Sequence, residues 1–487
     1  MIGAVLEPGS FRDRNGRVMY CGDAVYRVLG ASAFRNWRVL SASEIFRRFV
    51  DMGKLVATEE IDSGPELDSL NVAGEMAGVL RHQRVPFISY PYEWSFGMLK
   101  DAALLHLEVL SAALDDDLIL KDASAFNVQW FGPRPAFIDI PSFEILDAGE
   151  PWIGYRQFCQ MFLYPLFLQA YKDAPFRPWL RGCIDGIAPR EMNALMSARD
   201  RLRPGVFTHV YLQAKLQSRH SASQENVRRQ LKTAGFSKDL IRANVRRLER
   251  LIRKLQWTPT GSEWSNYAQS HHYSDQDFNL KRTFVEDAVA ARARHLVWDL
   301  GANTGTFARI AAKAGAYVVA TDADHLAVER LYRALKEEGD RRILPLVTNL
   351  ADPSPNLGWR GLERKDLATR GRPDLVMALA LIHHMVISAN IPMREFVDWL
   401  ADLGADLIIE FVNKDDPMVQ ALLRNKEDNY FDYEIGYFEN CLAQGFEIEL
   451  REPLGSQTRT LYYAQNKNRR VPIETTDVEV ELSLNTV

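Results

Sequence analysis

Five short apolar runs fill the stretch between residues 295 and 412, each followed by a more polar segment. They are His295–Leu300, Ala316–Thr321, Ile343–Val347, Leu375–Leu381 and Asp406–Val412. Thr306–Ala314 reads as a helix between the first two. His325–Glu338 sets Leu326, Val328, Leu331 and Leu335 at helical spacing after the second. Strands that are apolar at nearly every position are buried on both faces, and the alternating helices supply the cover. The pattern predicts a doubly wound, mostly parallel α/β sheet over residues 259–470. Phe446–Leu450 and Arg459–Tyr463 follow as an expected antiparallel pair closing one edge.

At 487 residues the chain has room for two or three units, and 47% hydrophobic with 25% charged residues is ordinary globular composition. Charge is uneven. Residues 1–216 hold 23 Lys and Arg against 26 Asp and Glu, 217–258 hold 11 against 3, and 259–487 hold 25 against 35. A basic connector therefore joins two acidic bodies, and nucleic acid is not an expected partner of either. In the connector, Ser237 precedes Leu240, Ile241, Val245, Leu248, Ile252 and Leu255. That reads as a capped amphipathic helix packed between the bodies. Cys21, Cys159, Cys183 and Cys441 lie far apart without metal-ligand spacing, so free thiols and no metal are expected. No basic head with an apolar run opens the chain, and no stretch has membrane-spanning length. The expectation is a soluble, cytoplasmic protein with no membrane partner. Residues 471–487 read as a tail.

The strongest chemical signal is Val297-Trp-Asp-Leu-Gly-Ala-Asn-Thr-Gly305, a glycine-bearing turn between a strand and a helix. Such a turn brings backbone close to a ligand and presents free N–H groups at the helix start. Asp322 ends the next strand, 23 residues after Asp299, where an acid accepts hydrogen bonds from ribose hydroxyls. On these residues alone a dinucleotide and an adenosyl cofactor compete. The segment Asp299-Leu-Gly-Ala-Asn-Thr-Gly305, with Asp322, resembles class I S-adenosylmethionine-dependent methyltransferases. That resemblance implies S-adenosyl-L-methionine as cofactor. Asp299 and the Gly301, Ala302, Asn303, Thr304 and Gly305 turn would face its methionine portion, Asp322 and Ala323 its ribose, and Asn349 and Leu350 its adenine. Ala378, at the end of the fourth strand, would complete the cofactor wall.

Ala378-Leu-Ala-Leu-Ile-His-His-Met385 sets His383 and His384 at the carboxyl end of a strand, where a base can take an acceptor's proton. Glu410, inside the apolar fifth strand, needs a partner or a cleft, and it is the third candidate for the base. Asp415 and Asp416 read as loop or cap residues. Asp352-Pro-Ser-Pro355 reads as a rigid loop beyond the adenine site rather than a catalytic box. Tyr267, Tyr273 and Lys281 precede the first strand, where the family often covers its cofactor; Lys281 reads as a solvated lysine.

In the N-terminal half, Leu99–Leu114 is an expected helix, Leu118–Leu120 and Ala136–Ile140 are short strands, and Tyr155–Tyr171 is an aromatic-rich core helix. Lys121-Asp-Ala-Ser-Ala-Phe-Asn-Val128 and Phe137-Ile-Asp-Ile140 resemble the catalytic core of kinase-fold phosphotransferases. That resemblance implies an α+β kinase-like domain over 1–216, with Asp122 near a phosphoryl group and Asn127 and Asp139 holding magnesium. Leu120-Lys121 replace the family's His, and Ile140-Pro141 replace Phe-Gly. Gly9–Gly16 reads as a degenerate phosphate-covering loop. Tyr90-Pro-Tyr-Glu-Trp-Ser-Phe96, Leu120-Lys-Asp-Ala-Ser124 and Ala378–His384 make the layout similar to a bacterial two-domain group related to host-specificity nodulation methyltransferases. The expected function is methyl transfer to an oxygen or nitrogen of a small-molecule, sugar or carrier-bound acceptor, with the N-terminal domain helping to bind substrate. A phosphotransferase acting beside the methyltransferase and a non-catalytic cofactor-binding scaffold are the alternatives.

Overall fold

The computed structural model describes residues 4–62, 77–220, 237–259, 274–424 and 426–469. Tyr267, Tyr273 and the tail over 471–487 lie outside them.

The C-terminal sheet is built from β10 (Leu296–Leu300), β11 (Tyr317–Asp322), β12 (Ile343–Val347), β13 (Leu375–Ala378), β14 (Asp406–Val412), β15 (Phe446–Pro453) and β16 (Arg459–Asn466). Their spatial order is β12-β11-β10-β13-β14-β16-β15. The first five run parallel, and β16 inserts antiparallel between β14 and β15. Every residue of β13 and β14 is buried, which accounts for their unbroken apolar runs.

Side chains alternate between the two faces along each strand, and the faces have different cover. Val297, Val318, Met377 and Ile408 share one core with Val285 and Ala308 of the helices Asp275–Ala290 and Thr306–Lys313. Trp298, Val319, Val376 and Leu407 share a second core with the helices Met393–Asp402 and Ile435–Gly445. That second core runs on without a break into the N-terminal half. Phe87 meets Trp298 edge-on at 6.1 Å, and Trp130 meets Tyr332 at 5.7 Å. The Glu93 carboxylate grips Arg370 at 2.5 Å, with both side chains at most 4% exposed. The expected division near residue 259 is thus a boundary in the chain but not in the packing.

The N-terminal half opens with an antiparallel sheet ordered β1-β2-β3-β5-β4. Its strands are β1 (Val5–Leu6), β2 (Gly16–Cys21), β3 (Ala24–Leu29), β4 (Thr58–Glu60) and β5 (Gly78–His82). The helix Phe96–Asp115 is capped by Ser95 and buries most of its surface. Two small antiparallel pairs follow, β6 (Leu118–Leu120) with β9 (Phe143–Ile145), and β7 (Val128–Phe131) with β8 (Arg134–Phe137). The aromatic segment forms Tyr155–Phe158, a wider-turned Cys159–Leu163 and Tyr164–Lys172. It is core, as its composition implies.

The connector's expected helix is Lys238–Lys254, with the Ser237 Oγ accepting the Leu240 N–H at 3.3 Å. It lies along Phe96–Asp115, burying Ile241, Val245, Leu248 and Ile252. Its basic face meets the acidic end of that helix: Lys238 pairs with Asp117 at 2.5 Å and Arg242 with Asp115 at 2.6 Å. Lys100 donates to the carbonyls of Arg253 and Leu255 and closes the other end. The four cysteines form no disulfide; Cys159 and Cys441 are buried, whereas Cys183 is exposed. No helix among the described residues is long and apolar enough to cross a membrane.

Removing one partner of a buried ion pair strands the other charge. Arg370→Ala is therefore expected to cost about 3–5 kcal/mol in urea unfolding. The double variant Arg370→Met/Glu93→Gln is expected to cost less than the single one.

Candidate active site

A cleft of about 740 Å³ opens at the carboxyl ends of β10, β11, β12 and β13. In doubly wound sheets this is where ligands bind. Its described lining residues all fall between Phe278 and Arg459. The N-terminal half contributes none of them, so the structure does not place that half as a wall of the cleft.

The floor is the turn after β10. Gly301 and Ala302 donate their N–H groups to the Thr321 carbonyl at 2.8 and 2.9 Å, tying the turn to β11. The backbone is left-handed at Gly301 (φ 78°), Asn303 (φ 47°) and Gly305 (φ 76°). A Cβ on Gly305 would come within 2.6 Å of Leu331, so this glycine lets the helix Thr306–Lys313 start against its neighbour. Gly301, Ala302, Asn303 and Thr304 line the cleft, but Gly305 lies beneath it.

Two carboxylates define the polar wall. Asp322 accepts the Asn303 N–H at 2.9 Å and the Asp324 N–H at 2.8 Å, so it also locks the loop after β11 to the turn after β10. Burial raises its carboxyl above the ordinary range. Asp299 is only 2% exposed and lines the cleft, and its Oδ2 has no hydrogen-bond partner. Burial pushes Asp299 up to about 7, against the opposing charge of Lys281 and a backbone N–H from Ala308. Ala323, Asn349 and Leu350 line the far end of the cleft, whereas Ala378 is buried and does not line it.

From this wall a chain of buried charges runs inward, and its Lys281 and Arg459 also line the cleft. Lys281 is 3% exposed and donates to Glu410 at 2.6 Å; its ammonium also sits 4.9 Å from the Phe307 ring centre. Arg459 reaches Glu410 at 3.4 Å and holds both oxygens of Asp416 at 2.8 and 3.1 Å. Lys281 is thus a buried cation rather than a solvated one, because Glu410 inside β14 requires it. Glu410 does not line the cleft, and two cations share its carboxylate, which disfavours it as a proton acceptor. Asp416 caps the helix Pro417–Leu423 through the Met418 N–H, as expected of a cap residue.

The two histidines separate. His384 lines the cleft, while His383 does not. His383 is fully buried with both ring nitrogens lacking a hydrogen-bond partner, and its ring lies 4.2 Å from that of His384. Burial, then the neighbouring His384, Arg459 and Lys281, hold His383 far below the usual imidazole range, so it stays neutral in the core. Burial lowers His384 to about 4. A wider helical turn over His384–Ser388 begins at this point.

In the N-terminal half, Asp122, Asn127 and Asp139 come together. Asn127 donates to Ser142 at 3.2 Å, and Ser142 donates to Asp139 at 2.8 Å. Arg27 of β3 takes the other Asp139 oxygen at 2.6 Å. Burial, then the nearby Asp139, raises the Asp122 carboxyl. With Asp139 held by a guanidinium and a hydroxyl, the set does not fit a magnesium ion. The Gly9–Gly16 loop is seated against the other half: a Cβ on Gly9 would lie 2.6 Å from the Leu362 carbonyl, and Arg12 pairs with Glu363 at 2.7 Å.

The nodulation protein NoeA of Rhizobium meliloti (strain 1021) is 35% identical over 469 residues, which is 95% of this chain and 97% of that protein. The chain belongs to the NoeA family. No protein-family model matches it. Among solved structures it is similar to the N-methyltransferase NodS from Bradyrhizobium japonicum WM9, at 12% identity over 40% of this chain and 98% of that one (TM-score 0.29). It is also similar to magnesium protoporphyrin IX methyltransferase (ChlM) from Synechocystis PCC 6803 with bound SAH, at 20% identity over 42% and 90% (TM-score 0.28).

Sequence reasoning in this NoeA-family chain missed Arg459 and the burial of Lys281. The available signal was the carboxylate of Glu410 inside an apolar strand, which demands cations without saying from where.

An acid whose folded pKa lies above its unfolded value costs stability above the folded pKa, and the cost vanishes as pH falls below the unfolded one. Asp299 is raised from 3.8 to about 7. Asp299→Asn is therefore expected to be more stable than the parent above pH 7. The gain should shrink toward pH 4, as read from thermal unfolding of the ligand-free proteins across that range.

Proposed function

We propose that this chain is an S-adenosyl-L-methionine-dependent methyltransferase acting on an oxygen or nitrogen of a small-molecule, sugar or carrier-bound acceptor. The observation that carries this reading is the unpartnered Asp299 Oδ2, buried at the cleft floor beside the Gly301–Thr304 turn. A buried acceptor without a donor costs about 1–3 kcal/mol, and a ligand ammonium removes that cost. Asp322 supports ribose hydroxyls, and Asn349 and Leu350 offer a polar and an apolar edge to adenine. A dinucleotide fits less well. Its pyrophosphate would meet Asp299 and Asp322, while the cations Lys281 and Arg459 are engaged by Glu410 and Asp416.

When bound, S-adenosylmethionine supplies an electrophilic methyl group on sulfur. The chain's part is alignment and proton management. The turn after β10 and Asp299 hold the amino-acid end, and Asp322 fixes the ribose. His384 faces the acceptor space with Met385 and Ser388. Being neutral above about pH 4, it can take the acceptor proton as the new bond forms. His383 packs behind it and keeps its ring in place. The N-terminal half acts on the cleft from outside.

Radiolabelled methyl transfer from S-adenosylmethionine into a cell metabolite extract tests the reading. Label is expected to appear with the parent and to vanish with Asp299→Ala. Binding of a nicotinamide dinucleotide, with none of S-adenosylhomocysteine, contradicts it. Once an acceptor is identified, His384→Ala is expected to lower kcat by about 100-fold or more. With S-adenosylmethionine saturating, so that Asp299 is already ionised, the acid limb of the parent's kcat/KM profile for the acceptor should fall near pH 4 instead of near 6.5, because burial depresses the His384 imidazole. Unchanged kcat in His384→Ala removes it from the proton path.

A further inference from the structure

The cleft's far wall is the segment after β12, and residues 350–366 carry only one short helical turn, Trp359–Gly361, and one isolated bridge, Leu357 to Arg364. Leu350, Ala351 and Asp352 line the cleft, and within the segment the Ala351 and Asp352 N–H groups donate to the Asn349 Oδ1 and carbonyl, both at 3.1 Å. Further anchors come from the N-terminal half. Arg181 puts one guanidinium across it: Nη1 donates to Asp352 Oδ2 at 2.9 Å and to the Asp352 carbonyl at 3.3 Å. Nη2 donates to Asp352 Oδ1 at 3.0 Å and to the Pro353 carbonyl at 3.1 Å. Ser354 donates to the Tyr92 hydroxyl at 3.0 Å, and the Lys365 N–H donates to the Tyr90 hydroxyl at 2.7 Å.

Arg181 belongs to the short helix Arg177–Gly182. Arg177 stands one turn before Arg181, on the same helical face. Its charge faces Asp324 and Glu329, just past Asp322 at the end of β11. One element of the N-terminal half thus grips the loop after β12 through Arg181 and places the Arg177 charge in the field of the carboxylates past β11, without entering the cleft.

We propose that the helix Arg177–Gly182 positions the adenosyl end of the cofactor site, with Arg181 as the positioning residue that holds the Leu350–Asp352 wall. This rests on the methyltransferase reading above and goes beyond it, because it assigns the N-terminal half a role in cofactor affinity rather than acceptor capture. A planar guanidinium making four bonds to one loop sets that loop's distance and tilt together, which a lysine cannot do.

Calorimetric titration of the full chain with S-adenosylhomocysteine and with 5′-methylthioadenosine, which lacks the amino-acid end, separates this role from general support. Arg181→Ala is expected to weaken both ligands by the same factor, roughly tenfold. Arg181→Lys should recover only part of the loss. Asp299→Asn should weaken S-adenosylhomocysteine and leave 5′-methylthioadenosine unchanged. The ligand-free thermal midpoint of Arg181→Ala should stay near the parent's, since the Asp352 partner is largely exposed. If Arg181→Ala does not fold, Tyr92→Phe removes only the hydroxyl at Ser354 and should weaken both ligands in the same direction, by a smaller factor. Parental affinity in Arg181→Ala, or a loss confined to S-adenosylhomocysteine, overturns the positioning role and leaves the methyltransferase reading standing. A parent chain that binds neither ligand overturns both.

Discussion

Burying a carboxylate at the end of β10 is the constraint around which the C-terminal half is arranged. Asp299 sits where low dielectric penalises its charge and one of its oxygens has no donor. The fold tolerates this through the Ala308 N–H and the Lys281 ammonium. Lys281 is itself buried and needs Glu410, which draws in Arg459, which in turn is neutralised by Asp416. The helix Asp275–Ala290, the strands β14 and β16 and the cap of Pro417–Leu423 are linked by these charges. What remains at the cleft is a carboxylate oxygen without a donor, and the proposed function gives it a ligand ammonium.

The same strand shows why the two halves are one packed body. Trp298, the neighbour of Asp299, points to the opposite face of the sheet and packs against Phe87 of the N-terminal half. One face of the sheet is covered by the helices beside the turn, whereas the other is completed by residues more than 150 positions earlier in the chain. The buried Arg370–Glu93 pair and the contacts on residues 350–366 lie along that seam. The N-terminal half is thus packed against the segments that bound the cleft, while none of its described residues lines it.

Much of the C-terminal half was legible in the sequence because doubly covered strands write themselves as continuous apolar runs. Ile343–Val347 and Asp406–Val412 have the expected bounds, and β15 and β16 extend the expected edge pair. The first antiparallel sheet was not legible. Its strands are half-exposed, as in β2, or carry charges, as Thr58–Glu60 does, so no apolar run marks them. At the site, the turn and Asp322 could be read from spacing. The pairing of Lys281 with Glu410 could not, since 129 residues separate them. Nor could the split between His383 and His384, since two adjacent identical letters do not disclose which ring is buried and which lines the cleft. The resemblance of Asp122, Asn127 and Asp139 to a phosphotransfer site holds as proximity, but Arg27 from a strand that spacing did not reveal takes the carboxylate a metal would need.

Burial keeps Asp299 largely protonated in mildly acid solution, and in the proposed function a ligand ammonium ionises it. Calorimetric titration of S-adenosylhomocysteine at pH 6, in two buffers with different ionisation heats, measures the protons exchanged on binding. The account predicts release approaching one proton in the parent, as the arriving ammonium ionises the carboxyl, and its loss in Asp299→Asn. Binding with no net proton release, identical in parent and variant, contradicts it.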